Sequence, residues 1–254
     1  MRKRAVITLA LCSMLFAAVG CSKGTERGKQ PPVKEPAAMV PAADGTPIEL
    51  LYVPEGFPLG LSVSQGFALH LFETPGGSQG FKTLPPDSGH KRYYDEFTIA
   101  GHSHLLITEE STPPRFYFDE NRNGDLTDDR GPFTAEKEGL LPNNVTIQIR
   151  YDAEKVVAPY RMWLFGSPMG GVRFYPVCHW RGELTINGSS YPLVAFDGNA
   201  DGDYSNDPLV IDANGNGRAD DGEQLRPGGQ ITIDGELVKL AAVSPSGLTA
   251  RLLR

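Results

Sequence analysis

Three short segments of this chain concentrate side-chain oxygens: Asp119-Glu-Asn-Arg-Asn-Gly-Asp-Leu-Thr-Asp-Asp129, Asp197-Gly-Asn-Ala-Asp-Gly-Asp-Tyr-Ser-Asn-Asp207 and Asp212-Ala-Asn-Gly-Asn-Gly-Arg-Ala-Asp-Asp-Gly-Glu223. They hold 13 of the 31 acidic residues in 34 positions. Each begins Asp-x-Asn-x-[Asn/Asp]-Gly and carries acidic or amide groups late. That pattern suits a hard divalent cation. Calcium takes about 6–8 oxygen ligands at roughly 2.3–2.6 Å, and short side chains at loop positions 1, 3 and 5 can converge on it. Glycine at position 6 permits the sharp turn that brings the position 7 carbonyl inward, and a late carboxylate closes the shell. The candidate ligands are Asp119, Asn121, Asn123, Asp125 and Asp129 in the first loop, with Asp128 beside them. They are Asp197, Asn199, Asp201, Asp203 and Asp207 in the second. They are Asp212, Asn214, Asn216, Arg218 (through its carbonyl), Asp220 and Glu223 in the third. Neutral Asn at position 3 in every loop, and at position 5 in two, lowers the ligand charge and predicts weak sites, on the order of 10⁻⁴–10⁻³ M. Only Pro208-Leu-Val-Ile211 separates the second and third loops, which would place two ions close together. The competing reading is ordinary Asx turns between strands. Three copies in one chain favour the cation.

The third loop satisfies the EF-hand loop pattern in full, with Glu223 at position 12. It ranks first among the candidates, and the second loop next. The first and second have Arg130 and Pro208 at position 12, with their late acids at positions 10 and 11. They resemble EF-hand-type or dockerin-type loops with altered closure. No helical period flanks any of them, so paired EF-hand domains are not expected. The resemblance implies calcium as the cofactor, held in single loops between strands, and it covers the loop residues alone.

The elements that must position these loops read as strands. Val145–Tyr151 alternates apolar and polar residues, and Val156–Phe165 and Val172–Trp180 read as further strands. Across Val172–Ile186 the residues Val172, Phe174, Cys178, Trp180, Leu184 and Ile186 share one parity, which makes Cys178 a small core residue. One helical turn is expected at Glu136–Leu141. The segments Glu96–Gly101, Glu183–Gly188 and Gln230–Gly235 align without gaps on x-Thr-Ile-x-Gly. Asn187-Gly188 and Asp234-Gly235 are strong hairpin turns. The first two hairpins lead into an apolar strand and then an acidic loop; the third leads only to a Ser-Pro-Ser-Gly turn. The expected fold is all-β, an antiparallel sandwich or barrel-like domain built from hairpins, with calcium-type loops between strands and little helix. The folded domain is expected over 47–254, with repeat units near 93–130 and 180–225 and a truncated third at 229–254.

The N-terminus carries a different signal. Arg2, Lys3 and Arg4 precede a mostly apolar run from Ala5 to Gly20, the layout of a secretory signal. Ala18-Val19-Gly20-Cys21 resembles the lipobox of bacterial lipoproteins, with Ala18 where Leu is usual. The resemblance implies cleavage after residue 20 and lipidation of Cys21. Ser22 resembles the residue that directs such proteins to the outer membrane. Residues 21–46, rich in Pro, Ala and charge, read as a tether. The formal net charge is -7, and about -10 without residues 1–20, which repels nucleic acid phosphates. Cys12 leaves with the signal and Cys21 takes lipid, so Cys178 has no disulfide partner.

Other chemistry is sparser. His102 and His104 share a strand face but lack a third zinc ligand, and read as exposed hairpin residues. His179 and Cys178 point to opposite faces of a strand. Tyr93, Tyr94, Trp163 and Trp180 read as core or half-buried positions rather than a sugar-binding face. Asp95, Glu96, Glu109 and Glu110 read as solvated charges. Gly-x-Ser-x-Gly, Walker-type, His-Glu-x-x-His and Cys-x-x-Cys motifs do not occur. The order of hairpins and loops is similar to segments that adjoin thioredoxin-like domains in exported bacterial proteins. The expectation is a non-enzymatic cell-envelope calcium-binding lipoprotein, anchored through its lipid, with a surface protein or glycan as a partner. An exported hydrolase with structural calcium is the alternative.

Overall fold

Apolar residues spaced by two and punctuated by Gly and Pro can bury their side chains only as short antiparallel strands. A computed structural model describes residues 45–56, 58–61, 67–69, 72–75, 80–134, 144–167 and 171–254, all in the compact unit Met39–Arg254. In chain order the strands are β1 (Thr46–Glu49), β2 (Leu51–Val53), β3 (Phe67–Leu69), β4 (Arg92–Ile99), β5 (His102–Glu109), β6 (Arg115–Phe118), β7 (Phe133–Thr134), β8 (Val145–Tyr151) and β9 (Val156–Ser167). They continue as β10 (Gly171–Pro176), β11 (His179–Ile186), β12 (Ser189–Ala195), β13 (Leu209–Ile211), β14 (Gln224–Leu225), β15 (Gln230–Ile233), β16 (Glu236–Val243) and β17 (Thr249–Leu253). No α-helix occurs among the described residues. The fold is all-β. The helical turn expected at Glu136–Leu141, and the signal, lipobox and tether through residue 44, lie outside the described residues.

Among the described residues the strands form four antiparallel sheets, ordered β1-β17-β16-β15, β3-β10-β9-β8, β14-β13-β12-β11-β2 and β4-β5-β6-β7. The three aligned segments make the three tight hairpins β4–β5, β11–β12 and β15–β16. Their turn pairs are left-handed at both residues: φ is 49° and 85° at Asn187-Gly188, 50° and 82° at Asp234-Gly235, and 50° and 75° at Ala100-Gly101. Primed turns need that backbone to match strand twist. Ala100 adopts it without an amide side chain because its N–H donates to the carbonyl of Asp201 in the second acidic loop, at 2.6 Å.

One core draws on all four sheets. Ile99, Ile186 and Ile233, the isoleucines that follow the aligned threonine in the three segments, are all buried in it, beside Ile147, Met162, Phe174, Leu209 and Leu240. The strand expected over Val172–Trp180 is instead two, β10 and β11, in different sheets. The break falls at Val177-Cys178, after Pro176, which cannot donate to a ladder. Phe174, Cys178, Trp180, Leu184 and Ile186 are nonetheless all buried. His179 is buried as well, so the alternation does not persist through the break.

Candidate metal centres

Each acidic loop leaves the end of a strand that the core fixes. β6 ends at Phe118 before Asp119, β12 at Ala195 two residues before Asp197, and β13 at Ile211 before Asp212. Asp119, Asp197 and Asp212 are therefore all buried. From there the three loops follow one backbone path. Position 4 is left-handed in each (Arg122 64°, Ala200 61°, Gly215 68°), and so is position 6 (Gly124 81°, Gly202 75°, Gly217 72°).

The hydrogen bonds repeat as well. The first aspartate accepts from the N–H groups of positions 5 and 6: Asn123 and Gly124 onto Asp119, Asp201 and Gly202 onto Asp197, Asn216 and Gly217 onto Asp212. The Asn at position 3 accepts from the position 5 N–H at 2.9–3.0 Å in each loop. The position 5 side chain accepts from position 7. A late carboxylate then reaches back to the start of the loop. Asp129 accepts from Glu120 and Asn121, Asp207 from Gly198, and Glu223 from Ala213 and Asn214. Asp129 and Asp207 at position 11 thus do what Glu223 does at position 12. The side-chain amides of Asn121 and Asn123 donate to Asp128, and those of Asn214 and Asn216 to Asp220. Of the predicted residues, Asp125 and Asp203 turn their carboxylates to Thr127 and Ser205. In both residues these bonds take up Oδ1.

The second loop carries the strongest electrostatic tension. Carboxylate oxygens of Asp197, Asp201 and Asp207 lie within 4.8 Å of one another, a cluster that can hold a metal ion. Oxygens on opposite sides of a calcium ion are separated by about twice 2.4 Å, the same span. Asp197 Oδ2 also accepts from the buried Tyr160 hydroxyl at 2.7 Å. Among the described residues Asp207 Oδ2 is buried with no hydrogen-bond partner, and so is Asp129 Oδ2 in the first loop. Burial, followed by the neighbouring Asp197 and Asp201 charges, pushes Asp207 up to about 7. Burial, with Asp119 and Asp128 nearby, pushes Asp129 up to about 6. Burial raises Asp197 too, against the hydrogen bond from Tyr160. Like charges held together out of water favour either a proton or a cation among them. The residues present therefore fit a divalent ion. Carboxylate convergence falls on the second loop rather than the third because the second has Asp at position 5 where the third has Asn216.

Sequence reasoning missed three buried polar groups, His104, Glu109 and Asp95. His104 is not an exposed hairpin residue. It is buried against Phe118, with ring centroids 5.0 Å apart, and its Nδ1–H donates to the Asp119 carbonyl at 2.8 Å. Burial lowers its pKa. Glu109 is not a solvated charge. It is fully buried, and its two oxygens accept from Arg92 at 3.0 Å and Arg115 at 3.2 Å. Arg92 and Arg115 are its register partners on the two flanking strands, a signal visible once the hairpin is drawn. With both oxygens engaged, Glu109 braces the sheet. Asp95 is buried too. Among the aromatics, Tyr93 and Trp180 are buried, while Trp163 stays 37% exposed beside Tyr175. Cys178 is a free, buried thiol.

Comparison of the chain with protein-family models, curated proteins and solved structures gives no match.

Proposed function

We propose that this chain is a cell-envelope calcium-binding lipoprotein in which calcium ions staple the loops of an all-β interaction domain. The observation that carries the reading is Asp207: a carboxylate 6% exposed, one oxygen without a partner among the described residues, beside Asp197 and Asp201. An Asx turn does not need three converging carboxylates or a desolvated spare oxygen; a hard cation makes use of both. Asp197, Asp201 and Asp207 would hold the ion in the second loop, with the Asn199 side chain and the Asp203 carbonyl. Asp119, Asn121, Asn123, the Asp125 carbonyl and Asp129 would do so in the first. Asp212, Asn214, Asn216, the Arg218 carbonyl, Asp220 and Glu223 would do so in the third. The ion supplies charge neutralisation and cross-linking, and the structural consequence is a stiffer domain by mass action. The basic start, apolar run and Cys21 support export and a lipid anchor in the outer membrane. An outer surface protein or glycan is the partner class.

Titration calorimetry with calcium chloride, paired with thermal melts in chelator and in millimolar calcium, tests the reading. It expects a heat of binding and a raised melting temperature. Absence of both would remove the functional claim and leave an all-β domain.

A further inference from the structure

Two small apolar clusters lie apart from the main core, and both are built the same way. In one, Leu105, Ile107 and Tyr117 on β5 and β6 are covered by Phe81 and Leu84 of an irregular segment, with Leu126 completing the cluster. In the other, Val194, Phe196 and Val210 of the β12–β13 region are covered by Leu59 and Leu61, with Ala219 completing it. Leu126 and Ala219 both occupy position 8 of their acidic loops.

The backbone repeats the arrangement. Leu126 N–H donates to the Thr83 carbonyl at 3.1 Å, and Ala219 N–H donates to the Leu59 carbonyl at 2.8 Å. Around the first cover the contact is wider. Lys82 and Thr83 N–H both donate to the Gly124 carbonyl, Lys82 Nζ donates to the Asn123 carbonyl, and Thr83 forms a bridge with Asp125. A side chain at Gly124 would meet the Gly80 carbonyl at 2.1 Å. Tyr204, position 8 of the second loop, donates likewise to Pro245, at 3.1 Å, but that partner belongs to the β16–β17 turn.

Beside these bonds, Phe81 packs edge-on against Tyr94 with ring centroids 5.5 Å apart, and Arg92 donates to the carbonyls of Pro85 and Pro86 just beyond the first cover. Phe81, Leu84, Leu59 and Leu61 are each only half-buried, which is little against the entropy of fixing the segments that carry them. Leu59 sits at φ 55°, ψ 27°, a left-handed backbone that a branched side chain adopts only when its surroundings impose it. What each cover meets is a loop whose position 7 carbonyl would point at a cation while the adjacent position 8 N–H points away, toward the cover.

We propose that the cations of the first and third loops act as clasps. Each fixes the position 8 N–H that pins an irregular cover (80–84 and 58–61) over an apolar sheet face. Calcium withdrawal then uncovers Leu105, Ile107 and Tyr117 at one end and Val194, Phe196 and Val210 at the other. This rests on the calcium reading, but it can fail alone.

Hydrogen–deuterium exchange on the full chain, in millimolar calcium chloride and in chelator, tests it beside calorimetry on the same sample. Amides in 81–84 and 59–61 should exchange at least about tenfold faster in chelator, while those of the β11–β12 hairpin change less than about twofold. Asp128→Asn with Asp129→Asn should release 80–84 alone, and Glu223→Gln 58–61 alone. Calcium heat with unchanged exchange in both covers overturns the clasp and leaves the calcium sites standing. Release of both covers by either variant overturns it in favour of general loosening. Absence of calcium heat overturns clasp and sites together.

Discussion

Replacing Asp207 by Asn keeps the side chain's shape and removes its charge. In the calcium-free protein the folded state raises this carboxyl from 3.8 to about 7. The ionised form is therefore disfavoured by folding. Its stabilising contribution is complete below pH ~4 and is lost as pH rises through ~7. A shift of about three units corresponds to about 4 kcal/mol as an upper bound, and loop relaxation with water entry brings it to about 2 kcal/mol. Asn does not titrate, and its amide can donate to the oxygens of Asp197 and Asp201. In chelator at neutral pH, Asp207→Asn should thus melt higher than the parent, by about 4–8 °C for a domain of this size. In calcium the sign changes. A site at about a hundred times its dissociation constant stabilises the parent by about 2.7 kcal/mol, more than the variant gains in chelator, and the variant forgoes most of it. Thermal melts of both proteins in chelator and in calcium, at pH 5 and 7.5, measure the crossing. If Asp207→Asn lowers the melting temperature equally with and without calcium, Asp207 is a turn residue and the argument fails.

Three further outcomes follow from the same geometry. Calcium affinity at the second loop should fall about tenfold per pH unit below about 7, because Asp207 must lose its proton to bind; calorimetry in buffers of differing ionisation enthalpy should show proton release near pH 6, and none would contradict this. Glu223→Gln should lower the calcium stoichiometry by one and leave that proton release unchanged, since the Glu223 oxygens organise only Ala213, Asn214 and Asp220. Tyr160→Phe deletes the buried donor to Asp197 and should cost about 1–3 kcal/mol in urea unfolding; a neutral result would show that this hydroxyl does not brace the loop.

Local chemistry was legible in the sequence wherever one residue type has one physical use. Asn187-Gly188 and Asp234-Gly235 specify their turns by backbone preference alone. Ala100-Gly101 makes the same turn against Ala's preference, because Asp201 supplies a tertiary hydrogen bond. The loop pattern announced Asp119, Asp197 and Asp212 as anchors. It did not show that Asp129 and Asp207 at position 11 reach the N–H groups that Glu223 reaches from position 12. That substitution depends on where the chain turns after the loop. Glu109 and His104 were illegible because burial of a polar side chain is set by partners on other strands. Glu109 needs Arg92 and Arg115 in register, and His104 needs the Asp119 carbonyl. The covers at 58–61 and 80–84 left no periodic trace, because their positions come from the loops they meet.

Whether calcium staples the second loop is decided by what lies between Asp197, Asp201 and Asp207. Diffraction from crystals grown in millimolar calcium, with anomalous differences collected, examines that point directly. A bound calcium ion gives an anomalous peak roughly 2.3–2.6 Å from oxygens of all three residues. A water, or empty density with the carboxylates turned apart, would contradict it.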